Sequence, residues 1–217
     1  MRGYPQEDWF LISENTNGGT VGLSWVRLAV FNAVSADNER NFMLSALITL
    51  IAVALDQFTK VLVSRNMALG DTISIIKNVL HITYVENRGA AFSMLSENRW
   101  VFLTFSTLAI AAIIYVMIKF RRELSKLSSL SLAMVLGGAI GNMIDRTFRG
   151  GVLFDGAVVD FIDFRLINFA VFNVADSFVC VGAVLLVLSV ILDEKKAHEK
   201  KEAEAEKAEE NGNDGNA

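Results

Sequence analysis

"VVDFIDFRLINFAVFNVADSFVCVGAVLLVLSVIL", residues 158–192, sets three carboxylates, Asp160, Asp163 and Asp176, against an uncharged apolar run. Residues 177–192 carry no charge at all. With residues 173–176 added, the run reaches the roughly 20 residues that a bilayer core demands of a helix. An ionisable group at that depth is costly unless it faces a bundle interior or a water-filled cavity. The fold therefore turns on whether the rest of the chain is membrane as well.

Three further uncharged stretches say that it is. Residues 42–55 continue past Asp56 and Lys60 to position 63, residues 100–118 form an unbroken span, and residues 127–144 form another, with Gly137, Gly138 and Gly141 near its end. Hydrophobic residues make up 53% of the 217, with a single proline, and the mean hydropathy is +0.40, which is too apolar for an ordinary soluble domain. None of the runs alternates as a barrel strand does, so helices are the structures that satisfy their backbone in lipid. The predicted fold class is mainly α: a polytopic membrane protein with four transmembrane helices.

Between the second and third spans, Lys119, Arg121, Arg122 and Lys126 crowd a short link, and such density marks a cytoplasmic loop. Four spans then put both termini in the cytoplasm and turn residues 64–99 and 145–175 outward. The net charge of −4 is that of the tail: from Asp193 on there are nine acids against five bases, and the rest of the chain is neutral. Nothing in that balance points to nucleic acid as a partner. Residues 193–217 read as a charged cytoplasmic tail, frayed helix or disordered. Residues 1–41 read as an N-terminal extension, either interfacial or lying ahead of a natural start at Met43. One cysteine, Cys180, inside an apolar run, excludes an intrachain disulfide.

On this topology the unusual polar residues converge. Asp56 and Lys60 lie in the outward half of span one, Asn142, Asp145 and Arg146 at the outward end of span three, Asp160 in the outer loop, and Asn173 and Asp176 at the outward start of span four. Each has a structural alternative. Asp56 and Lys60 are an i, i+4 pair with the acid first; Asp145 and Arg146 fit a helix-end ion pair; Gly137 and Gly141 fit close helix packing. If "VVDFIDFR" is extended, Asp163 shares a face with Arg165, whereas Asp160 shares one with Val158, Ile162 and Phe164. Such a carboxyl has a raised pKa unless something outside the strand compensates it. In "FNVADS", Asn173 and Asp176 have capping-box spacing, and they also share one helix face, so capping and catalysis stay equally open. Two carboxylates brought together share a proton and perform hydrolysis without a cofactor, one as base and one as acid. No HExxH, GxSxG or Cys/His arrangement competes. A proton-coupled transporter would need more spans and an inverted repeat. A Mg²⁺ enzyme using Asp155, Asp160 and Asp163 is opposed by strand parity, which separates Asp160 from Asp163.

In this order, "DQFTK" (56–60), "NRGAAF" (87–92), "GGAIGNMIDR" (137–146), "VVDF" (158–161) and "FNVAD" (172–176) resemble the motif set of the bacterial lipoprotein signal peptidases, or signal peptidase II, over about residues 43–192. The resemblance implies an intramembrane aspartic endopeptidase of the bacterial cytoplasmic (inner) membrane. It would remove the signal peptide from diacylglyceryl-modified prolipoproteins, cutting before the lipid-bearing cysteine. It implies Asp160 and Asp176 as the catalytic dyad, Asp145 as a supporting residue with Arg146, and Asn87, Gly89, Asn142 and Asn173 lining the substrate pocket. Asp56 and Lys60 would hold the helices. It also implies a small extracytoplasmic β-cradle drawing on "HITYVENRGAAF" and "VVDFIDFR", a peptidase domain over 42–192, no cofactor or metal, and prolipoproteins and membrane lipids as partners of a monomer. One departure stands out: the family's proline before the FN pair is Ala170 here, which predicts a shorter or more mobile loop.

Overall fold

The computed structural model describes residues 20–88 and 99–213. Among them are four helices, α1 (Thr20–Asn66), α2 (Arg99–Lys119), α3 (Lys126–Phe148) and α4 (Val174–Asn213), and three strands, β1 (Thr72–Ile76), β2 (Leu80–Asn87) and β3 (Val158–Phe164). The chain divides into two compact units after Arg40. In the first, the described residues are helical, and Arg40 pairs with Asp37 at 2.8 Å on an exposed face.

The helices fall on the predicted spans. Asp37–Asn66, Lys126–Phe148 and Val174–Ala205 are each long and apolar enough to cross a membrane, and α2 contributes the apolar stretch Leu103–Lys119. Their outward faces carry Leu50, Phe58, Phe105 and Val184, all exposed, an arrangement that is stable only with lipid as the solvent. Inside, Met117, Leu132, Ala133 and Leu136 form a core between α2 and α3. Small residues let the backbones close in: a Cβ on Gly138 would stand 2.3 Å from the carbonyl oxygen of Ala175 in α4, and one on Gly137 2.6 Å from the Ala52 methyl in α1. At the opposite end of the α3–α4 contact, the Ser128 hydroxyl donates to Ser189 Oγ at 3.0 Å. The charged run after Asp193 continues α4 as helix to Asn213 rather than as disordered chain, with i, i+4 pairs such as Lys195–Glu199 at 3.8 Å.

The strands form one antiparallel sheet in the order β1-β2-β3. β2 and β3 come from the two stretches expected to supply a cradle. β1 joins β2 through a tight turn in which Asn78 takes φ 61°, a left-handed conformation that asparagine tolerates. The sheet sits over one end of the bundle, where Val63, Tyr84, Val159 and Phe161 form a second core with Val174 packed against it. β3 is buried almost throughout. The Ala170 segment folds back onto it: Phe172 exchanges backbone hydrogen bonds with Ile162 at 3.1 and 2.8 Å, and the Phe172 ring stacks on Phe164. That fold-back sets the distance between Asp160 and the start of α4.

Candidate active site

Two polar centres lie under the sheet. The first is ionic. Lys60 Nζ, fully buried, donates its three protons to Asp56 Oδ2 (2.8 Å), Asp145 Oδ2 (2.8 Å) and Asn142 Oδ1 (2.9 Å), which exhausts an ammonium's donors. Asp56 and Asp145 are fully buried too. Asp56 Oδ1 accepts the Ala175 N–H of α4 at 3.0 Å, and Asp145 Oδ2 the Val159 N–H of β3 at 3.3 Å. Gln57 Nε2 bridges Asp56, Asp145 and the Gly141 carbonyl at 3.0–3.1 Å. A Cβ on Gly141 would stand 2.5 Å from Asp56 Oδ2; only glycine leaves room for the carboxylate. One cluster thus ties α1, α3, α4 and β3.

Asp145 and Arg146 do not form the helix-end ion pair that was one reading of their sequence. Asp145 Oδ1 pairs with Arg149 Nε at 2.6 Å, because residues four apart share a helix face and adjacent residues do not. Arg146 Nη1 instead donates to the Asn142 carbonyl at 3.3 Å, and its charge interacts with Asp176, Asp160 and Asp145. Gln57 and Arg149 were missed by sequence reasoning, though the four-residue spacing of Asp145 and Arg149 was a usable signal.

The second centre is built on neutral amides. Asp160, on β3 and 2% exposed, accepts from Asn87 Nδ2 at 2.9 Å and from Asn173 Nδ2 at 2.7 Å. Asn173 Nδ2 also lies 3.0 Å from Asn142 Oδ1, and Asn142 Nδ2 donates to Asp176 Oδ1 at 2.7 Å. Asn173 and Asp176 close a reciprocal cap: the Asp176 N–H donates to Asn173 Oδ1 at 2.9 Å and the Asn173 N–H to Asp176 Oδ2 at 3.2 Å. The capping geometry and the convergence of the two carboxyls are therefore one arrangement. Because Lys60 occupies Asn142 Oδ1, the amide of Asn142 is turned with its NH₂ toward Asp176.

Burial raises the Asp160 pKa most. The Asn87 hydrogen bond opposes the rise, the Asp176 charge adds to it, and Asn173 and the more distant Lys60 oppose it; the result is about 6. Asp163 differs. Burial raises its pKa as well, but the Thr83 hydroxyl (2.6 Å), Arg165 (Nε at 2.9 Å) and the nearby His81 outweigh it and hold the carboxyl below its ordinary value. Asn87, Asn142, Asn173, Asp160 and Asp176 are thus brought together, Asp56, Lys60 and Asp145 adjoin them, and Gly89 lies outside the described residues. Chemically, the second centre offers two carboxyls linked through Asn142 and Asn173, with no direct ion pair among the described residues, one of them titrating within reach of neutrality.

Comparison with known proteins agrees with this geometry. Residues 48–192 match the family described as signal peptidase (SPase) II. A lipoprotein signal peptidase of Brevibacillus brevis is 43% identical over 150 residues, covering 69% of this chain and 96% of its own. One from Halalkalibacterium halodurans is 41% identical over 163 residues, covering 74% and 100%. A solved bacterial membrane enzyme, determined by the in meso method at 2.3 Å, superposes with a TM-score of 0.61 at 32% identity, covering 70% of this chain and 90% of that one.

Proposed function

The chain belongs to the signal peptidase II family, and from that premise we propose that Asp160 and Asp176 are its catalytic dyad. The protein is a membrane aspartic peptidase that cleaves the signal peptide from prolipoproteins. The observation that carries the dyad is the contrast between two adjoining centres: Asp56 and Asp145 are bound to cations, while Asp160 and Asp176 are held by asparagine amides. Two adjacent carboxyls in that setting retain one proton between them. The ionised member takes a proton from water as its oxygen attacks the scissile carbonyl carbon. The protonated member gives its proton to the carbonyl oxygen. As the tetrahedral intermediate collapses and the C–N bond breaks, the first carboxyl gives the proton it took from water to the leaving nitrogen and the second takes one back from the intermediate's hydroxyl, which restores the pair.

Asn87, Asn142, Asn173 and Arg146 form the substrate-facing wall in this proposal, Gly89 is assigned to substrate binding by the family motif alone, and Asp56, Lys60 and Asp145 hold the wall in place. The enzyme acts as a monomer in the bacterial cytoplasmic membrane, with both termini cytoplasmic and the dyad near the outer face. That depth matches the scissile bond of a substrate anchored by its diacylglyceryl group. The peptidase unit is residues 42–192, with 1–41 and 193–217 as appendages.

The test is a gel-shift cleavage assay in detergent, using diacylglyceryl-modified and unlipidated prolipoprotein, with and without EDTA. EDTA-resistant cleavage of the lipidated form alone, lost in both Asp160→Asn and Asp176→Asn, supports the assignment. Cleavage surviving both substitutions removes the dyad, and loss with EDTA in the wild type replaces it with a metal-dependent hydrolase.

A further inference from the structure

The chain between α3 and β3 does not simply connect them. The Phe154 N–H donates to the Thr147 carbonyl at 2.9 Å and the Gly156 N–H to the Arg146 carbonyl at 3.1 Å, while the Asp155 N–H closes a turn onto Val152 at 3.1 Å. A Cβ on Gly156 would stand 2.0 Å from the Asp145 carbonyl oxygen, so the foot of the loop rests directly on helix backbone. Residues 150–156 are therefore fastened to the last turn of α3 and cannot swing away from it.

The tip of this fastened loop is apolar and open. Val152 is 71% and Leu153 59% exposed, and no charged residue lies between positions 150 and 154. Phe154 takes φ 63°, a conformation that bulky side chains avoid. Its ring lies 6.2 Å from that of Trp100 in the first turn of α2. Phe148, in the last turn of α3, and Trp100 are exposed as well. Five apolar side chains from α2, α3 and the loop thus form a collar around one end of two membrane helices, continuous with their lipid-facing surfaces. An indole at such a level is characteristic of the headgroup boundary.

We propose that residues 152–154 insert into the bilayer interface at the site end of the bundle and grip phospholipid there. The occupant is lipid because the collar continues the surface that lipid already covers, and because the fastening holds it at the depth where α3 ends. The turn it is fastened to carries Asp145 and Arg146, so the grip holds that turn at a constant depth. This insertion depends on the membrane location of the helices and not on which residues catalyse.

The experiment places a single nitrobenzoxadiazole label at Leu153→Cys in a Cys180→Ser background, with the full chain in phosphatidylcholine–phosphatidylglycerol vesicles. Val152→Cys serves as a second site and Glu199→Cys, on the exposed tail helix, as the aqueous reference. Labels at 152 and 153 are expected to be blue-shifted relative to the reference, to lose most of their emission to phosphatidylcholine brominated along its acyl chains, and to lose little to iodide. Dilution of the protein in lipid should leave these values unchanged. Iodide-sensitive emission that ignores bromolipid would put the tip in water. Emission protected from both quenchers would put it against protein, and a blue shift that fades on dilution would assign it to a second copy of the chain. Each of these three results overturns the proposal.

Discussion

The two carboxylate centres adjoin and share Asn142, the first fully buried and the second half-buried at Asp176, yet they are held in opposite ways. Asp56 and Asp145 meet Lys60 and Arg149 at 2.6–2.8 Å, with the remaining oxygens filled by backbone N–H groups and Gln57. Asp160 and Asp176 meet amides. A cation locks a carboxylate in its ionised form, and in a dry interior removal of that cation leaves an uncompensated charge. An amide orients a carboxylate without fixing its proton. A membrane protein that needs both rigidity and proton transfer in one small volume can obtain them from the same residue type by changing only the partner.

The most severe way to break this contrast is to remove the acids of the second centre. Asp160→Asn and Asp176→Asn should each lower cleavage by about 10²–10⁴-fold or more, measured by gel shift, while detergent melting shows the fold retained. An equally deep loss with unfolding would instead make them structural. In the first centre, Lys60→Met should destabilise by about 3–5 kcal/mol, read as a lowered Tm and poor recovery in detergent. A double Asp56→Asn/Lys60→Met variant should melt above the single Lys60 variant, since Asp145 keeps Arg149 and no carboxylate of the centre is then left without a cation. No difference between the two would mean that the pairing contributes little.

The pH dependence sharpens the comparison further. The Asp160 pKa rises from 3.8 to about 6 on folding, so between those values the native state binds more protons than the unfolded chain. Stability falls as pH rises through that window. The full cost, at most about 3 kcal/mol for a shift of this size, is present above it. Asp160→Asn should therefore melt higher than wild type at pH 7 and lose that advantage by pH 4; a gap independent of pH would contradict the raised value. Asp163, held below its ordinary range, has the reverse sign: its contribution is present above about pH 4 and is lost on acidification. Because Arg165 is half exposed, Asp163→Asn should cost about 1 kcal/mol or less and leave cleavage within about twofold of wild type, and a larger loss would move it into the site.

Much of this was legible from the chain. Lipid makes helices declare themselves, since each span must be long and uncharged, and an acid beside such a run, as at Asp160 or Asp176, is conspicuous. β1 was not foreseen: "TISII" is exposed along its whole length, and its pairing is set by the Asn78 turn. The amide partners of Asp160 were equally hidden from parity, because Asn87 and Asn173 reach it from another strand and a loop. Asn87 entered only through the family motifs, whereas Asn173 already stood out as a cap for span four. Arg149 was passed over for the adjacent Arg146, a choice that helix periodicity argues against. The tail reads by composition as frayed helix or disorder, and its lysines and glutamates sit four apart, which supports the helix.

The hydrogen bond from Ala175 N–H to Asp56 joins residues 119 positions apart in sequence, and its consequence lies in the order of synthesis. Asp56 is in α1, which is made before the other three spans, and Ala175 lies in the first turn of α4, the fourth. Throughout insertion the first span carries an acceptor whose donor has not yet been made, and Asp160 waits for Asn173 in the same way. The centre that holds Asp160 and Asp176 can be completed only when the fourth span docks. A nascent chain in the membrane therefore cannot assemble that centre until α4 has been made and has entered beside the other three spans.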